Sequence, residues 1–207
     1  MRTPALAAAA LLATLLTLPA RIDVVHAYGD EPYTSTIRIR LKGPTLRVRC
    51  RGGDCVVNIV RQGTTFAVSV TRTRDGQPFT FERSVQNPTN VAVETGTGND
   101  VVTLTDVVVP GFLRIGTGNG DDVLVLSDTS TASKVSIATG PGNDTVRLSP
   151  GAIGGKFHLK TAGGDDEVTV EGGMFEDAAG FDGGQGSDGF SESATFLRAP
   201  VVRGFEH

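Results

Sequence analysis

Aspartate residues recur along the second half of the chain at one fixed interval. They lie 22 residues apart, at Asp100, Asp122, Asp144, Asp166 and Asp188. A glycine stands two residues before each of them, and Asp121 and Asp165 add a second carboxylate beside two of them. Calcium takes six to eight oxygen ligands from carboxylates and backbone carbonyls, and glycine lets a turn aim its carbonyls inward. The spacing predicts a row of acidic turns able to bind Ca²⁺.

Apolar residues on both sides of each turn predict the elements that position this row. Seven residues before the aspartates stand Val93, Ile115, Ile137, Leu159 and Phe181, and two residues after them stand Val102, Leu124, Val146, Val168 and Phe190. Both flanks alternate with polar residues at period two, which is typical of strands. A fixed period near twenty with strand-like flanks indicates a solenoid. We therefore expect an all-β parallel β-helix of about five 22-residue coils, each a strand, a Gly-rich turn, a strand and a variable loop.

Composition and spacing argue against the competing folds. The chain has 27 glycines, 6% aromatic residues and no Trp, which excludes an all-α protein. The glycines also leave strand-like windows far shorter than a helix needs. A small antiparallel sandwich is the structural competitor, but its hairpins would not require one invariant spacing.

The repeat continues upstream in weaker form. Residues 46–59 align position for position with residues 113–126, which puts Cys55 at the place of the repeated aspartate. From Cys55 to Asp122 is 67 residues, one more than three periods, so residues 60–90 must hold two looser coils or a hairpin insertion. We expect residues 28–90 to form an N-terminal β-rich capping region, with turns at 43–45 and 74–76. The β-helix proper then covers 91–207.

The two cysteines, Cys50 and Cys55, predict a disulfide. If Gly52-Gly53 forms a two-residue turn, the two sulfurs lie on a cross-strand pair within bonding distance. A metal site would need a second pair of ligands, and a catalytic thiol would need a histidine partner. Neither is identifiable in the sequence.

Residues 1–27 differ in character from the rest of the chain. Arg2 is followed by an Ala/Leu run from Ala5 to Ala20, and Val25-His26-Ala27 approximates a small-x-small cleavage site. These features predict a signal peptide that is cleaved after Ala27, or alternatively after Ala20, and a protein that is secreted, periplasmic or at the cell surface. A buried N-terminal helix is the alternative, but the run lacks a polar face.

The charge is divided between the two halves of the chain. Residues 34–84 contain ten Lys or Arg against three Asp or Glu, whereas residues 85–207 contain seven against seventeen. A basic segment can indicate nucleic acid or an anionic glycan. These arginines alternate with apolar residues, as in Ile37-Arg38-Ile39-Arg40, so we interpret them as the solvated face of strands and expect no nucleic-acid partner.

Two family resemblances rest on these turns. Gly183-Gly184-Gln185-Gly186-Ser187-Asp188-Gly189-Phe190-Ser191 satisfies all nine positions of GGxGxDxUx, and it resembles the hemolysin-type calcium-binding repeat, called RTX. Residues 91–191, rich in TGxGNDxVxL coils, look like secreted parallel β-helix proteins of Planctomycetes-like bacteria, and residues 196–206 resemble their C-terminal edge strand. The RTX family has two such turns per 18-residue coil, whereas this chain has one per 22. The resemblance thus implies a calcium ladder along one edge at most, with Asp100, Asp121, Asp122, Asp144, Asp165, Asp166 and Asp188 as its ligands.

A simpler explanation of the same residues is that Asn, Asp and Gly suit tight turns, with each aspartate bonding local backbone amides. Catalysis has little support, because His26 leaves with the signal peptide, His207 is terminal and His158 alternates outward on a strand. The sequence favours an exported, non-catalytic structural or surface-interaction module whose partner is a cell-surface glycan or protein. It has no membrane-spanning run after residue 20. The alternative is a calcium-dependent, polysaccharide lyase-like or glycan-binding protein that recruits Arg114 and Lys160.

Overall fold

The computed structural model describes residues 37–74 and 77–206, and these residues form strands and turns without a helix. The predicted signal peptide and the expected turn residues Asp75 and Gly76 lie outside the described part. The capping strands are β1 (Arg38–Lys42), β2 (Thr45–Arg49), β3 (Cys55–Gln62), β4 (Thr65–Arg74) and β5 (Gln77–Gln86). None of the described residues belongs to a helix long and apolar enough to cross a membrane.

Three strands make up each of the five coils that follow. The first coil contains β6 (Asn90–Glu94), β7 (Val101–Thr105) and β8 (Val108–Val109), and the second contains β9 (Leu113–Gly116), β10 (Val123–Ser127) and β11 (Ser130–Thr131). The third contains β12 (Val135–Pro141), β13 (Thr145–Ser149) and β14 (Ala152–Ile153), and the fourth contains β15 (Phe157–Gly163), β16 (Glu167–Val170) and β17 (Met174–Phe175). The fifth contains β18 (Ala179–Gln185), β19 (Gly189–Glu192) and β20 (Thr195–Phe196), and β21 (Val201–Arg203) follows it.

Corresponding strands of successive coils pair in parallel to form three sheets. The first sheet has the order β1-β2-β6-β9-β12-β15-β18-β21, the second β19-β16-β13-β10-β7-β3-β4-β5, and the third β20-β17-β14-β11-β8. Ile115 pairs with Val93 on one side and Ile137 on the other, and Leu124 pairs with Val102 and Val146. The predicted solenoid and its apolar ladders are therefore confirmed.

The third sheet replaces part of what the sequence predicted as variable loop. Its strands are two residues long, too short to show an alternating pattern. Their inward residues are Val109, Thr131, Ile153, Phe175 and Phe196. Thr131 interrupts the apolar series, and its last step is 21 residues instead of 22. For these reasons the sequence periodicity did not reveal the third strand.

The capping region places β2 and β3 on the first complete coil. Leu46 pairs in parallel with Val91, and Val57 with Val102, as the alignment of residues 46–59 predicts. Three antiparallel pairs of consecutive strands complete the region, because β1 pairs with β2, β3 with β4, and β4 with β5. Residues 60–90 therefore hold a hairpin insertion, and the alternative of two looser coils is wrong.

The disulfide between Cys50 and Cys55 is present, with a Cα–Cα distance of 6.3 Å, and both cysteines are buried. It does not lie on a hairpin pair, as the sequence argument supposed, because β2 and β3 belong to different sheets. The bond instead closes the corner at which the chain passes from the first sheet to the second. Cys50 occupies the coil position of Thr95, and Cys55 occupies that of Asp100.

Aromatic rings close the C-terminal end of the core. Phe175 stacks on Phe196 with ring centroids 4.8 Å apart, and Phe190 packs against Phe205 at 5.1 Å. The edge strand β21 pairs in parallel with β18. These rings cover apolar ladder ends that a further coil would otherwise bury.

Candidate functional site

The repeated aspartates lie at the corner where each coil turns from the first sheet to the second. The chain makes this turn through glycines with positive φ, for example +108° at Gly140 and +136° at Gly142. A Cβ at Gly140 would also collide with the carbonyl oxygen of Gly118 on the preceding coil. Both the turn and the close stacking therefore favour glycine at this position. Ala162 adopts φ +103° at the equivalent place.

The aspartate side chains point into the solenoid and form an inner ladder with the main chain. Asp144 Oδ1 accepts the N–H of Asp122 at 2.9 Å, and Asp166 Oδ1 accepts the N–H of Asp144 at 2.8 Å. The same bond recurs from Cys55 N to Asp100, from Asp100 N to Asp122 and from Asp166 N to Asp188. All five aspartates are buried. Each carboxyl thus ties its own coil to the coil before it.

A second buried ladder runs beside the first and uses the threonines five residues before the aspartates. Thr117 Oγ1 donates to the carbonyl of Thr139 at 3.0 Å, and Thr161 Oγ1 donates to the carbonyl of Gly183 at 2.6 Å. A hydroxyl has a single hydrogen to donate. These threonines therefore donate that hydrogen to a main-chain carbonyl of the next coil.

The second carboxyl oxygen of most inner aspartates has no hydrogen-bond partner. Such buried, unbonded Oδ2 atoms occur at Asp122, Asp144, Asp166 and Asp188. Asp100 differs, because its Oδ2 accepts the Gly96 N–H at 3.2 Å. A buried acceptor without a partner carries a desolvation cost, and the cost is larger for a charged group.

Burial also changes the acidity of these carboxyls. It raises the pKa of Asp144 from the ordinary 3.8 to about 7, and the neighbouring charges of Asp122 and Asp166 act in the same direction. The Thr139 side chain and the hydrogen bond from the Asp122 N–H oppose this rise in pKa. Burial is likewise the main cause of the raised pKa of Asp100, Asp122 and Asp166. The inner row therefore favours a neutral state, which either protons or a bound cation can supply.

An outer ladder of exposed side chains runs along the residues just before the inner aspartates. Asn99 Oδ1 accepts the N–H of Asp121 at 3.0 Å, and Asp121 Oδ1 accepts the N–H of Asn143 at 2.8 Å. The series begins with Asp54, which accepts the Asn99 N–H, and ends with Asp165, which accepts the Ser187 N–H. Sequence reasoning missed the roles of Asp54, Asn99 and Asn143, although their 22-residue or 45-residue spacing was available.

The structure therefore separates the seven predicted ligands into two rows. Asp100, Asp122, Asp144, Asp166 and Asp188 are inside the solenoid, whereas Asp121 and Asp165 are on the outer, exposed row. No group of three or more His, Cys, Asp or Glu side chains in the described part of the chain is arranged to hold a metal ion. Arg114, His158 and Lys160 are exposed on the outer face of the first sheet, not against the inner carboxyls.

Comparison with known proteins returned no family model, no curated protein and no solved structure that matches this chain.

Proposed function

We propose that this protein is an exported, non-catalytic β-solenoid that serves as a structural or cell-surface interaction module. The observation that carries the proposal is the inner ladder, in which every repeated aspartate holds a main-chain N–H of a neighbouring coil. The most regular polar residues of the chain thus serve its architecture. The disulfide supports export, because such bonds persist in oxidising compartments.

N-terminal sequencing of the protein exported from a secreting bacterial host tests the export step. We expect the mature chain to begin at Tyr28, with Arg2, Arg21 and Asp23 removed, so that the formal net charge changes from −4 to −5. Replacing Leu11 and Leu12 with Asp should stop export, because it places charge in the apolar run. Exported protein that retains residues 1–27 would refute this part of the proposal.

Calcium-dependent stability is the second candidate function, and the orphaned Oδ2 atoms favour it. The inner row offers the type of ligand that calcium prefers, because its carboxylate oxygens lie at Gly-rich turns. They supply one unbonded carboxyl oxygen per coil at Asp122, Asp144, Asp166 and Asp188. Backbone carbonyls must therefore complete a set of six to eight ligands. A cation would also relieve the repulsion between carboxylates on adjacent coils.

Thermal unfolding of chelator-treated protein during a calcium titration tests this candidate. We expect an affinity of about 10⁻⁴–10⁻³ M and, beyond saturation, roughly 1.4 kcal/mol of stabilisation per tenfold calcium. Asp144→Ala should lose more of the calcium response than Asp100→Ala, because Asp100 has both carboxyl oxygens bonded to N–H groups. A melting temperature that changes with neither calcium nor chelator would refute calcium-dependent stability, and the Gly-rich turns would then have a structural role without a metal.

A further inference from the structure

One end of the first sheet carries a dense group of cations. We call it the basic patch, and it consists of Arg38, Arg40, Lys42, Arg47 and Arg49 on β1 and β2. These side chains line a shallow surface concavity of about 140 Å³. This volume is that of roughly five water molecules in the liquid, which is enough for one or two acidic groups. The whole chain, by contrast, has a formal net charge of −4.

The basic patch is built from like charges in direct opposition. Arg38 is the cross-strand partner of Arg49, and Arg40 is the partner of Arg47. Like charges at directly opposite positions destabilise a sheet. An ordinary solvated strand face would mix the two signs, so the arrangement indicates that an anion offsets the repulsion.

The cations of the patch also have few acidic partners in the described part of the chain. Among the described residues, Arg49 forms an ion pair with Glu94 at 2.8 Å, and no carboxylate lies within 4 Å of the other four cations. The Nε atoms of Arg38 and Arg40 are shielded from water and have no hydrogen-bond partner. Buried N–H donors of this kind are normally satisfied. Both side chains are half-buried, so an arriving acidic group can bond to their exposed guanidinium ends.

Cations continue from the patch along the solenoid axis. On the same row as Arg47, the next strands present Ala92, then Arg114, then Ser136 and then His158. With strands about 4.8 Å apart, the charged positions Arg47 and Arg114 lie roughly 10 Å apart over small residues. Lys160 adds a further cation on the adjacent row. Between β1 and β15 this face holds seven Lys or Arg and a single carboxylate, Glu94.

We propose that the basic patch and its continuation through Arg114 to Lys160 bind a linear acidic polysaccharide bearing sulfate or carboxylate groups. Guanidinium groups recognise both of these anions through paired N–H bonds. Single-stranded nucleic acid would require a series of aromatic platforms for its bases. Among the described residues, the outward positions of the first-sheet strands from β1 to β15 hold no Phe, Tyr or Trp, and the exposed Phe112 beside β9 is a lone ring. A protein partner would require apolar anchors, but the neutral positions between the cations are small residues such as Ala92 and Ser136.

Biolayer interferometry with immobilised mature protein tests the proposal. The probes are dextran sulfate, polygalacturonate, neutral dextran and single-stranded DNA of matched length. We expect the two acidic glycans to bind in low salt, neutral dextran to stay unbound, and binding to weaken as salt screens the charges. Arg40→Gln with Arg47→Gln should weaken glycan binding at least tenfold. The matched control, Arg147→Gln with Arg198→Gln, removes two exposed cations elsewhere and should bind like the wild type.

Folding is followed in the same samples. Because Arg40→Gln with Arg47→Gln removes a like-charge pair, its melting temperature without glycan should equal or exceed that of the wild type. Equal glycan binding by this variant and the wild type would overturn the assigned site, and absence of binding to either glycan would overturn the proposal. Tighter binding of DNA than of both glycans would overturn the choice of partner. The inference rests on the proposed export, because the protein would meet such a glycan outside the cell. The binding assay does not depend on export, and N-terminal sequencing tests export separately.

Discussion

The inner carboxyl row predicts an unusual dependence of stability on pH, and Asp144→Asn measures it. The asparagine keeps an Oδ1 that accepts the Asp122 N–H, but it has no charge to bury. In the wild type the folded state holds the Asp144 proton up to about pH 7, whereas the unfolded chain loses it near 3.8. Between these values the unfolded state binds fewer protons, so stability falls as pH rises.

The magnitude follows from the two pKa values. A difference of about three pH units at about 1.4 kcal/mol each gives a loss of the order of 4 kcal/mol from Asp144 between pH 4 and pH 8. Asp100, Asp122 and Asp166 add losses of the same sign, because burial raises the pKa of each. Asp144→Asn should remove its own share, so its stability should fall less steeply with pH than that of the wild type. Any packing cost of the asparagine amide is the same at every pH, so it does not affect the comparison of the two slopes of stability against pH.

Urea denaturation, followed by far-UV circular dichroism in the presence of chelator at several pH values from 4 to 8, gives the free energy of unfolding of the wild type and of Asp144→Asn as a function of pH. The control is Asp128→Asn, the same substitution on an exposed carboxylate at the corner between β10 and β11, away from the inner row. It leaves the inner carboxyls and their neighbours unchanged, so its stability curve should run parallel to that of the wild type. If Asp144→Asn also runs parallel to the wild type, the buried carboxyl carries no proton penalty and the reasoning fails. If calcium occupies the row, saturating calcium should flatten the wild-type curve, and it should flatten the curve of Asp144→Asn less, because three of the four unbonded carboxyl oxygens remain.

The turn geometry yields two further predictions, read as shifts of the urea midpoint. Gly140→Ala should cost at least about 2 kcal/mol, because it strains a residue at φ +108° and meets the Gly118 carbonyl, and an unchanged midpoint would contradict the stacking argument. Its cross-strand neighbour Ala162 already carries a side chain at φ +103°, so Ala162→Gly should instead stabilise the protein by roughly 1 kcal/mol. A loss of stability in this second variant would show that the alanine conformation is not strained.

The fold could be predicted because each coil repeats both its apolar positions and its glycine turn at one interval. The ladder from Val93 through Ile115 to Ile137 needed only that interval and the alternation of a strand. The third sheet escaped prediction because a two-residue strand has no measurable alternation. The cysteine pair was predicted correctly, but its setting was not, because the spacing of Cys50 and Cys55 fits a hairpin as well as a corner between two sheets.

The candidate site was predicted less completely than the fold. The period located the inner aspartates, but alternation applies within a strand and does not tell which way a side chain points in a turn. Neighbouring carboxylates such as Asp121 and Asp122 therefore looked like one acidic group, although one is exposed and the other buried. The basic patch was interpreted as an ordinary wet strand face, because the sequence did not show that β1 and β2 pair Arg with Arg.

The two side-chain ladders differ in a way that hydrogen bonding alone does not explain. In the outer row, aspartate alternates with asparagine, so carboxylates stand two coils or roughly 10 Å apart, where salt screens them. Asparagine accepts a main-chain N–H in that row as well as aspartate does. The inner row nevertheless holds five aspartates in succession, buried and about 4.8 Å apart. Only a carboxyl can take up either a proton or a cation, so the unbroken inner row points to a solenoid whose stability responds to one of the two.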